Sequence, residues 1–469
     1  MIKFFNTLSG KIEQFTPIDD KEIKLYTCGP TVYDFAHIGN FRAYLFEDLL
    51  KRFLIFMGYK VIHVMNITDV DDKTIKGSNA NGVSLCEFTK KYIEAFFEDL
   101  KTLRIKKADF YPRATENIPE MVKIIKGLLK KSYAYKKNGS TYFNISKFNE
   151  YGKLSKIKIK KLKSGKRVDT DEYEKENLYD FALWKNKKEG EPYWETEIGK
   201  GRPGWHIECS AMSSKFLGQP FDIHCGGIDN IFPHHENEIA QSEAYSGKKF
   251  VNYWLHCHHL IVDGEKMSKS KGNFFTLRDL LAKKVNPNVL RFLLISTHYR
   301  KTLNFSFSFL KQTEESLHRI QDFFSELKNH PFDEGENKEV SKLIEETKKK
   351  FIDGLSSDLN ISVSLTSIFE LIKKINIMIL QGKIFKNDAK NLLDCIKSLN
   401  KVLSILPEEE EFLPGDIENK IKQREEARKN RNYALADRIR DDLLKKGIIL
   451  EDTKSGVRWK KREINSKNH

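Results

Sequence analysis

Apolar and polar positions alternate over residues 22–28, which predicts a short β-strand. A loop containing glycine follows at 29–39, and apolar side chains such as Leu45 and Leu49 then recur at helical spacing. Residues 60–67 carry a second strand pattern. A strand, a helix and another strand in this order predict a βαβ unit with a right-handed connection and a parallel sheet.

A second stretch with the same alternation begins at Trp205. Its pattern predicts, in order, a helix over 207–216, a strand over 221–225, a helix entered through Pro233, a strand over 253–262 and a polar loop over 263–273. Between the two stretches, from about residue 109, the pattern changes and includes one helix near 120–131. We therefore expect one nucleotide-binding sheet that is interrupted by an insertion.

Helical periodicity dominates the following hundred residues. Apolar residues repeat at intervals of three and four over 359–379 and 389–403, which predicts a helical bundle. Pro407 and the pair Pro414-Gly415, on either side of an acidic run, mark a linker. Beyond the linker, the pattern predicts two helices and two short strands in a small module.

The expected fold class is therefore α/β, with a Rossmann-like parallel-sheet domain split by an insertion, then an α-helical bundle and a small C-terminal α/β module. The expected bounds are 1–110 for the first half of the sheet domain, 111–200 for the insertion, 201–300 for the second half, 301–406 for the bundle and 415–469 for the module. A chain of 469 residues exceeds what one hydrophobic core usually supports, which agrees with several domains.

Charge narrows the class of partner. The chain carries 81 Lys and Arg against 66 Asp and Glu, a net charge of +15, which favours a polyanion such as nucleic acid. Residues 153–167 hold eight basic and no acidic side chains, and are either a solvated loop or an RNA contact. The C-terminal segment 416–469 holds 16 basic and 10 acidic residues, and its Trp459 either stacks on a base or belongs to a core.

Several classes are excluded by what the chain lacks. No apolar run approaches the roughly 18 to 20 residues that a bilayer crossing needs. The N-terminal residues lack the pattern of a secretory signal, so a cytoplasmic location is expected. Six scattered cysteines are too few for a disulfide framework, and we expect reduced thiols that pack, react or bind metal.

Histidine is concentrated where a metal site could form. Seven of the thirteen histidines lie between His206 and His259. His234 and Glu238 are four residues apart and so share one helix face, while Cys28 and Cys209 lie where a parallel sheet can bring them near. Two sulfurs with one nitrogen favour zinc. Spacing alone leaves open, as substitutes for these four, the residues His224, Cys225, His235 and Glu236.

Two further clusters suit phosphate chemistry. His37, Gly39 and Asn40 lie at the predicted start of a helix, where free amides and the helix dipole attract anions. The polar loop contains Lys266 and Lys269, which could close on a triphosphate as charge develops there. Taken alone, each cluster is also compatible with an ordinary polar turn or a basic surface loop.

Together these motifs resemble a known family. The loop KMSKS (266–270), the turn HIG (37–39) and the order of elements resemble the class I aminoacyl-tRNA synthetases. Four longer segments closely resemble the cysteinyl-tRNA synthetases of that class: YTCGPTVYD (26–34), NITDVDDK (66–73), GRPGWHIECS (201–210) and FPHHENE (232–238). The resemblance extends from about residue 5 to residue 459, so it covers almost the whole chain.

The resemblance implies a reaction and its sites. L-Cysteine and ATP, with Mg²⁺, would give cysteinyl-adenylate and pyrophosphate, and cysteine would then pass to the 3′-terminal adenosine of tRNA(Cys). It implies one Zn²⁺ per chain, a monomer, a connective-peptide insertion and a C-terminal anticodon-binding domain. The implied zinc ligands are Cys28, Cys209, His234 and Glu238. The implied contacts for cysteine are Thr68 and Trp205. The implied contacts for ATP are Gly226, Gly227 and Asp229, together with His37, Gly39, Asn40 and Lys269.

These assignments have a physical rationale. Serine differs from cysteine by one atom, which an apolar pocket separates poorly, whereas zinc binds a thiolate much better than a hydroxyl. The carboxylate of the amino acid is already ionised and needs no general base. His37, Lys266 and Lys269 would stabilise the charge that develops on the phosphates.

Some positions depart from the family pattern. Asn40 replaces the second histidine of the signature and cannot carry positive charge, so Arg42 is a candidate to replace it. Cys225 and Cys257 are extra thiols near the expected site and are predicted to be inert. Two alternative functions remain. The first is a ligase that passes cysteine to an amino sugar, which the module at 416–469 disfavours. The second is a zinc-containing RNA-binding protein without catalysis, which the intact loop 266–270 disfavours.

Overall fold

The structure is a computed structural model that describes residues 1–157, 180–406, 415–446, 448–453 and 456–461. Its strands are β1 (Lys3–Asn6), β2 (Lys11–Gln14), β3 (Glu22–Thr27), β4 (Lys60–Met65), β5 (Ala134–Lys137), β6 (Ser140–Phe143), β7 (Phe181–Asn186), β8 (Trp194–Thr196), β9 (Gly199–Pro203), β10 (Phe221–Gly227), β11 (Val251–Cys257), β12 (Leu260–Val262), β13 (Glu265–Lys266), β14 (Leu303–Phe305), β15 (Ile448–Thr453) and β16 (Gly456–Lys461).

The helices include three that the periodicity did not predict, Asp72–Asn81, Leu85–Thr102 and Leu277–Ala282. In chain order the helices are α1 (Ile38–Phe56), α2 (Asp72–Asn81), α3 (Leu85–Thr102), α4 (Ile118–Lys130), α5 (Trp205–Leu217), α6 (Glu236–Ser246), α7 (Leu277–Ala282), α8 (Pro287–Ser296), α9 (Phe307–Asn329), α10 (Lys338–Ser356), α11 (Ile361–Leu380), α12 (Lys386–Leu403), α13 (Gly415–Lys429) and α14 (Tyr433–Lys445). Within the ranges that the structure describes, none of these helices is long and apolar enough to cross a membrane.

The central sheet is parallel and is assembled from both halves of the chain. Its strand order is β11-β10-β3-β4, so β3 pairs with β4, its neighbour in sequence, and with β10. The backbone N–H of Lys24 donates to Oδ2 of Asp222, 198 residues later, at 2.8 Å. The predicted α/β class with a split sheet is therefore confirmed.

One predicted strand is wrong. The run 253–262 was expected to be continuous, but it forms two strands, Val251–Cys257 and Leu260–Val262, that belong to different sheets. The second of these pairs with β13 and β14 instead of with the central sheet. The chain leaves the central sheet at His258, whose N–H donates to the carbonyl of Tyr299 at 2.8 Å.

The insertion contains a second, antiparallel sheet in the order β5-β6-β7-β9-β8. The periodicity gave no prediction of this sheet. Of the basic run 153–167, residues 158–167 lie outside the described part of the chain. Lys153 forms ion pairs with Glu150, at 2.7 Å, and with Glu243, and Lys156 donates to the carbonyl of Leu8 at 2.6 Å. These two lysines are therefore bound within the protein.

Two compact units can be described separately. One consists of 1–317, 346–370 and 401–403, and contains the central sheet. The other consists of 318–345, 371–400 and the residues from 404 onwards. In the second unit, β15 and β16 form an antiparallel hairpin in which Leu450 pairs with Trp459. Its small core contains Ile439, Leu443, Ile448 and Leu450.

A buried histidine on strand β4 of the central sheet makes stability depend on pH. Nε2 of His63 lies 2.9 Å from Oγ1 of Thr27, and burial lowers the pKa of His63 to about 3. Below pH 6.5 the unfolded chain binds a proton at this residue and the folded chain does not, so the protein loses stability as the pH falls from about 6.5 toward 3.

We expect a change from pH 7.5 to pH 5.0 to cost about 2 kcal/mol of unfolding free energy through His63. The variant His63→Gln should lack this part of the pH dependence, and chemical denaturation of both proteins at the two pH values measures it. His318→Gln, which changes an exposed histidine, is the matched control and should behave as the parent does. An identical pH dependence in parent and His63→Gln would contradict the prediction.

Candidate active site

A cavity of about 510 Å³ opens where the four central strands end. Its wall includes Cys28 after β3, Thr68 after β4, Gly227 at the end of β10 and Cys257 at the end of β11. This is the edge of a parallel sheet at which ligands bind in open α/β folds. The start of α1 and the loop after β13 complete the wall.

Metal-binding side chains converge on one side of this cavity. One donor atom each from Cys28, His234, His235 and Glu238 lies within 4.8 Å of the others. Sγ of Cys28 is 3.2 Å from Nε2 of His235, and Oε1 of Glu238 is 3.0 Å from Nε2 of His234. Sγ of Cys209 lies 3.5 Å from the same His234 nitrogen. The four predicted ligands and His235 thus form one cluster.

The local backbone brings these side chains together. A π-turn over Ile231–His235 leads into α6, so His234 lies one turn before Glu238, and i,i+4 residues share a helix face. Cys209 projects from α5, and Cys28 follows the last residue of β3. Gly226 faces the cluster from β10: a Cβ there would lie 2.7 Å from Cε1 of His235, so this close approach requires glycine.

The cluster is strongly charged although it is buried. Burial raises the pKa of Glu238, but His224 and His234 outweigh it and hold that pKa at about 2. The Cys28 thiol and His234 together lower the pKa of Cys209 to about 6. Burial lowers the pKa of His234, but Glu238 and Cys209 outweigh it and raise that pKa to about 10, so the site favours a cation, either a proton on His234 or a metal ion.

Other polar groups hold the cluster residues in place. Nε2 of His224 is 3.0 Å from the second carboxylate oxygen of Glu238, and Nδ1 of His206 is 2.9 Å from Nδ1 of His234. Nδ1 of His235 is 2.8 Å from Nε2 of His256. Metal ligands in proteins are commonly oriented by such outer partners.

One atom of the cluster fits a metal ligand directly. Oε1 of Glu238 is completely buried; Nε2 of His234 lies 3.0 Å away outside hydrogen-bonding geometry, and no other described residue donates a hydrogen bond to it. An ionised oxygen in this position is costly unless a cation binds it. Sulfur, imidazole and carboxylate donors are also the set that zinc prefers. The residues present therefore fit a bound zinc ion.

The wall beside the cluster can recognise a small polar ligand. Trp205 stacks on His234 with ring centroids 4.0 Å apart and is 38% exposed. Oγ1 of Thr68 donates to Glu208 at 2.9 Å and accepts from Nδ2 of Asn66 at 3.2 Å. Asn66 in turn accepts from the N–H of Gly29 at 3.0 Å, so the hydroxyl of Thr68 is rigidly placed.

The start of α1 fixes the ring of His37. His37 is the N-cap: its Nδ1 accepts from the N–H of Asn40 at 3.2 Å, and Oδ1 of Asn40 accepts from the N–H of His37 at 3.0 Å. Burial lowers the pKa of His37, so the ring is neutral and its proton lies on Nε2. Asn40 therefore serves the helix cap and makes His37 a hydrogen-bond donor.

The polar loop 263–273, which contains Lys266 and Lys269 and is called the lysine loop below, packs over the start of α1. Met267 contacts Gly39, where a Cβ would come within 2.8 Å of its Cε. The N–H of Ile38 donates to the carbonyl of Phe275 at 3.0 Å, which ties the end of the loop to α1. Nζ of Lys269 forms an ion pair with Asp34, whose hydrogen bond raises the pKa of Lys269. Both Lys266 and Lys269 line the cavity.

The cavity wall contains twelve of the fourteen predicted site residues. They are Cys28, His37, Gly39, Asn40, Thr68, Trp205, Cys209, Gly227, Asp229, His234, Lys266 and Lys269. Gly226 and Glu238 lie behind the wall, next to His235 and His234 respectively.

The expectation that Arg42 replaces a charged histidine is wrong. Arg42 is 2% exposed, and its guanidinium donates to the backbone carbonyls of Leu294, Thr297 and His298. It therefore anchors α1 to the end of α8 and is not part of the cavity wall. Cys225 and Cys257 are both buried, and burial raises the pKa of each thiol, for Cys257 to about 11.

Sequence reasoning missed several residues of the site. Glu208, His206 and His256 act behind the wall, and Asp34 holds Lys269. Glu208 and His206 belong to the segment 201–210 and Asp34 to 26–34, so their place in long motifs was an available signal. For His256 the available signal was its place among the seven histidines between His206 and His259.

Comparison with known proteins defines the class. The protein shares its fold with a Mycobacterium tuberculosis methionyl-tRNA synthetase in complex with methionyl-adenylate, with a TM-score of 0.60 and 14% identity over 82% of this chain and 90% of that one. The fold is also shared with LeuRS of Agrobacterium radiobacter, solved in a ternary complex. The TM-score is again 0.60, with 10% identity, and the match covers 84% of this chain and 85% of that one. The fold is that of the class I aminoacyl-tRNA synthetases.

Sequence comparison narrows the class to a family. Residues 14–315 match the family described as "tRNA synthetases class I (C) catalytic domain", and 411–459 match "Cysteinyl-tRNA ligase anticodon binding domain". A cysteine–tRNA ligase of Chlamydia muridarum is 50% identical over 97% of this chain and 99% of its own length, and one of Brachyspira hyodysenteriae is 50% identical over 98% and 99%. The chain belongs to the cysteinyl-tRNA synthetases, a family of ligases that form aminoacyl-tRNA.

Proposed function

We propose that this protein activates L-cysteine with ATP to cysteinyl-adenylate and transfers cysteine to the 3′-terminal adenosine of tRNA(Cys). The observation that carries the proposal is the presence, in one cavity, of a buried sulfur–imidazole–carboxylate cluster and of His37 with Lys269. The first group can select a thiol, and the second can stabilise phosphate charge. Few other reactions need both.

Zinc is the cofactor we assign to the cluster, with Cys28, Cys209, His234 and Glu238 as its ligands. His235 is the competing fifth donor, but its Nε2 lies against the Cys28 sulfur and its Nδ1 against His256, which suits a group that orients a ligand. When bound, zinc acts as a Lewis acid that favours the thiolate of cysteine over the hydroxyl of serine.

The chain's own side chains place the rest of the amino acid. The hydroxyl of Thr68 donates to Glu208, so its oxygen is available to accept a hydrogen bond from the substrate's ammonium group. Trp205 covers the cluster on its exposed side and excludes water from it. The substrate carboxylate then faces the phosphate half of the cavity without the help of a general base.

Phosphate chemistry is assigned to α1 and the lysine loop. Nε2–H of His37 donates to a phosphate oxygen, and Lys269 leaves Asp34 to neutralise the charge that grows on the phosphates as pyrophosphate departs. Lys266 lines the same cavity and assists. Gly227 and Asp229, at the end of β10, border the space assigned to the adenosine, with Mg²⁺ accompanying the phosphates.

The proposed partners follow from the family. The C-terminal module provides the contact with the anticodon of tRNA(Cys), a role supported by the match over 411–459. That match also disfavours the transfer of cysteine to an amino sugar. We place the enzyme in the cytoplasm as a monomer.

The test is cysteine-dependent exchange of pyrophosphate with ATP, with serine measured in parallel. We expect rapid exchange with cysteine, a rate with serine below roughly 1% of it, and about one zinc per chain in the purified protein. Cysteinylation of a tRNA(Cys) transcript then tests the second step. Exchange with serine at a comparable rate would refute the proposed selectivity, and zinc without any exchange would leave a binding protein.

A further inference from the structure

An exposed lysine and an exposed aromatic ring form a pair at the cavity that adenylate formation does not use. Nζ of Lys73 lies 5.0 Å from the centre of the Tyr33 ring, and both residues line the cavity. Tyr33 is 38% exposed. Among the described residues, Lys73 forms no ion pair with a carboxylate, since the neighbouring Asp72 is bound by Lys185 and Arg202.

We propose that Tyr33 and Lys73 bind the single-stranded 3′ end of the tRNA during the transfer step, with the ring stacking on an unpaired base and the ammonium contacting a phosphate. This inference rests on the proposed function, because it names the residues that receive the second substrate. Unpaired nucleotides are recognised in this way, by aromatic faces that lie beside cationic side chains.

The backbone under Tyr33 makes its ring a fixed platform. Thr31 pairs with Thr68 in a parallel bridge, and the N–H of Val32 donates to the carbonyl of Thr68 at 3.1 Å. The β3–β4 pairing is thus continued into the loop that carries Tyr33. Lys73 lies in the first turn of α2, whose N-cap Asp71 accepts the Lys73 N–H at 2.8 Å. Both side chains start from ordered backbone, which lowers the entropic cost of binding.

The pair lines the same cavity as the adenylate site but consists of residues that have no assigned role there. Three other residues of the segments 26–34 and 66–73 already have side-chain partners in the adenylate site. They are Cys28, Asp34 and Thr68. The side chains of Tyr33 and Lys73 contact each other, and both line the same cavity as Thr68, which is assigned to the substrate cysteine.

The experiment separates the two steps with Tyr33→Ala, Tyr33→Phe and Lys73→Ala. Transfer is measured by single-turnover reaction of preformed cysteinyl-adenylate with tRNA(Cys), and activation by pyrophosphate exchange without tRNA. We expect Tyr33→Ala and Lys73→Ala to slow transfer or weaken tRNA binding about tenfold while exchange stays within about twofold of the parent. Tyr33→Phe keeps the ring and should transfer as the parent does.

Two controls make the outcome specific. Lys91→Ala removes a lysine that lies over the rings of Phe35 and Tyr92 but does not line the cavity, and it should affect neither step. A tRNA(Cys) without its three terminal nucleotides should bind parent and Tyr33→Ala equally. Unchanged transfer, or exchange slowed as much as transfer, would overturn the inference, whereas a parent without cysteine-dependent exchange would refute the proposed function instead.

Discussion

Lys269→Ala is expected to slow cysteine-dependent pyrophosphate exchange at saturating substrates by about 100- to 1,000-fold, with little change in the dissociation constant of cysteine. The reason is that charge on the phosphates grows only in the transition state, so a cation that meets it there contributes mainly to kcat. Lys269 can reach that place because it lines the cavity and is held only by weak, solvent-exposed contacts among the described residues, an ion pair to Asp34 and the ring of Phe274.

Lys271→Ala is the matched control for this prediction. It changes a lysine of the same loop that pairs with Glu265 at 2.8 Å and does not line the cavity, so exchange should change less than about twofold. Asp34→Asn removes the resting partner of Lys269 and should retain most of the activity. Equal losses of cysteine affinity and rate in Lys269→Ala would contradict a role in the transition state.

Cys209→Ala is expected to abolish most of the bound zinc and to weaken cysteine binding by about 100-fold or more, because it removes the thiolate nearest to His234. ATP binding should persist, because the residues assigned to phosphate binding lie at the start of α1 and on the lysine loop, and not on α5 with Cys209. Metal content by elemental analysis and cysteine affinity by calorimetry are the two measurements.

Two variants show whether the ligand set is correct. Cys225→Ala removes another buried thiol, one whose pKa is raised by burial, and should keep both zinc and cysteine affinity. His235→Asn removes the group behind Cys28 and should keep most of the zinc while lowering its affinity about tenfold. If His235→Asn loses zinc and Cys209→Ala keeps it fully, the fourth zinc ligand is His235 and the assignment of Cys209 is wrong.

The sequence predicted the parallel sheet because its helices and strands have strong, separate periodicities, and because ends of parallel strands must meet. It also predicted that His234 and Glu238 lie together, because residues four apart on a helical stretch share a face. It did not predict the break at His258, because an apolar run looks the same whether one sheet or two use it. Nor did it predict the antiparallel sheet of the insertion, whose strands are short and in which β6 pairs with β7 across a long interval of the chain.

The roles of single side chains were harder to predict than their positions. Arg42 lies in the phosphate motif, yet it points away into carbonyl groups at the end of α8. Asn40 replaces a histidine of the signature, but it completes a helix cap that sets the tautomer of its neighbour. Such roles depend on what the tertiary structure puts opposite each residue, and one sequence does not contain that information.

The pairing of β3 with β10 has a consequence for the synthesis of the protein. The edge of β3 that accepts β10 is complete almost 200 residues before its partner strand is made, as the bond between Lys24 and Asp222 shows. At ribosomal rates of about 5–20 residues per second, that edge waits roughly 10 to 40 s with its hydrogen-bonding groups unpaired. During this interval the nascent chain exposes a strand edge of the kind through which chains aggregate, and this exposure ends only when β10 has been made.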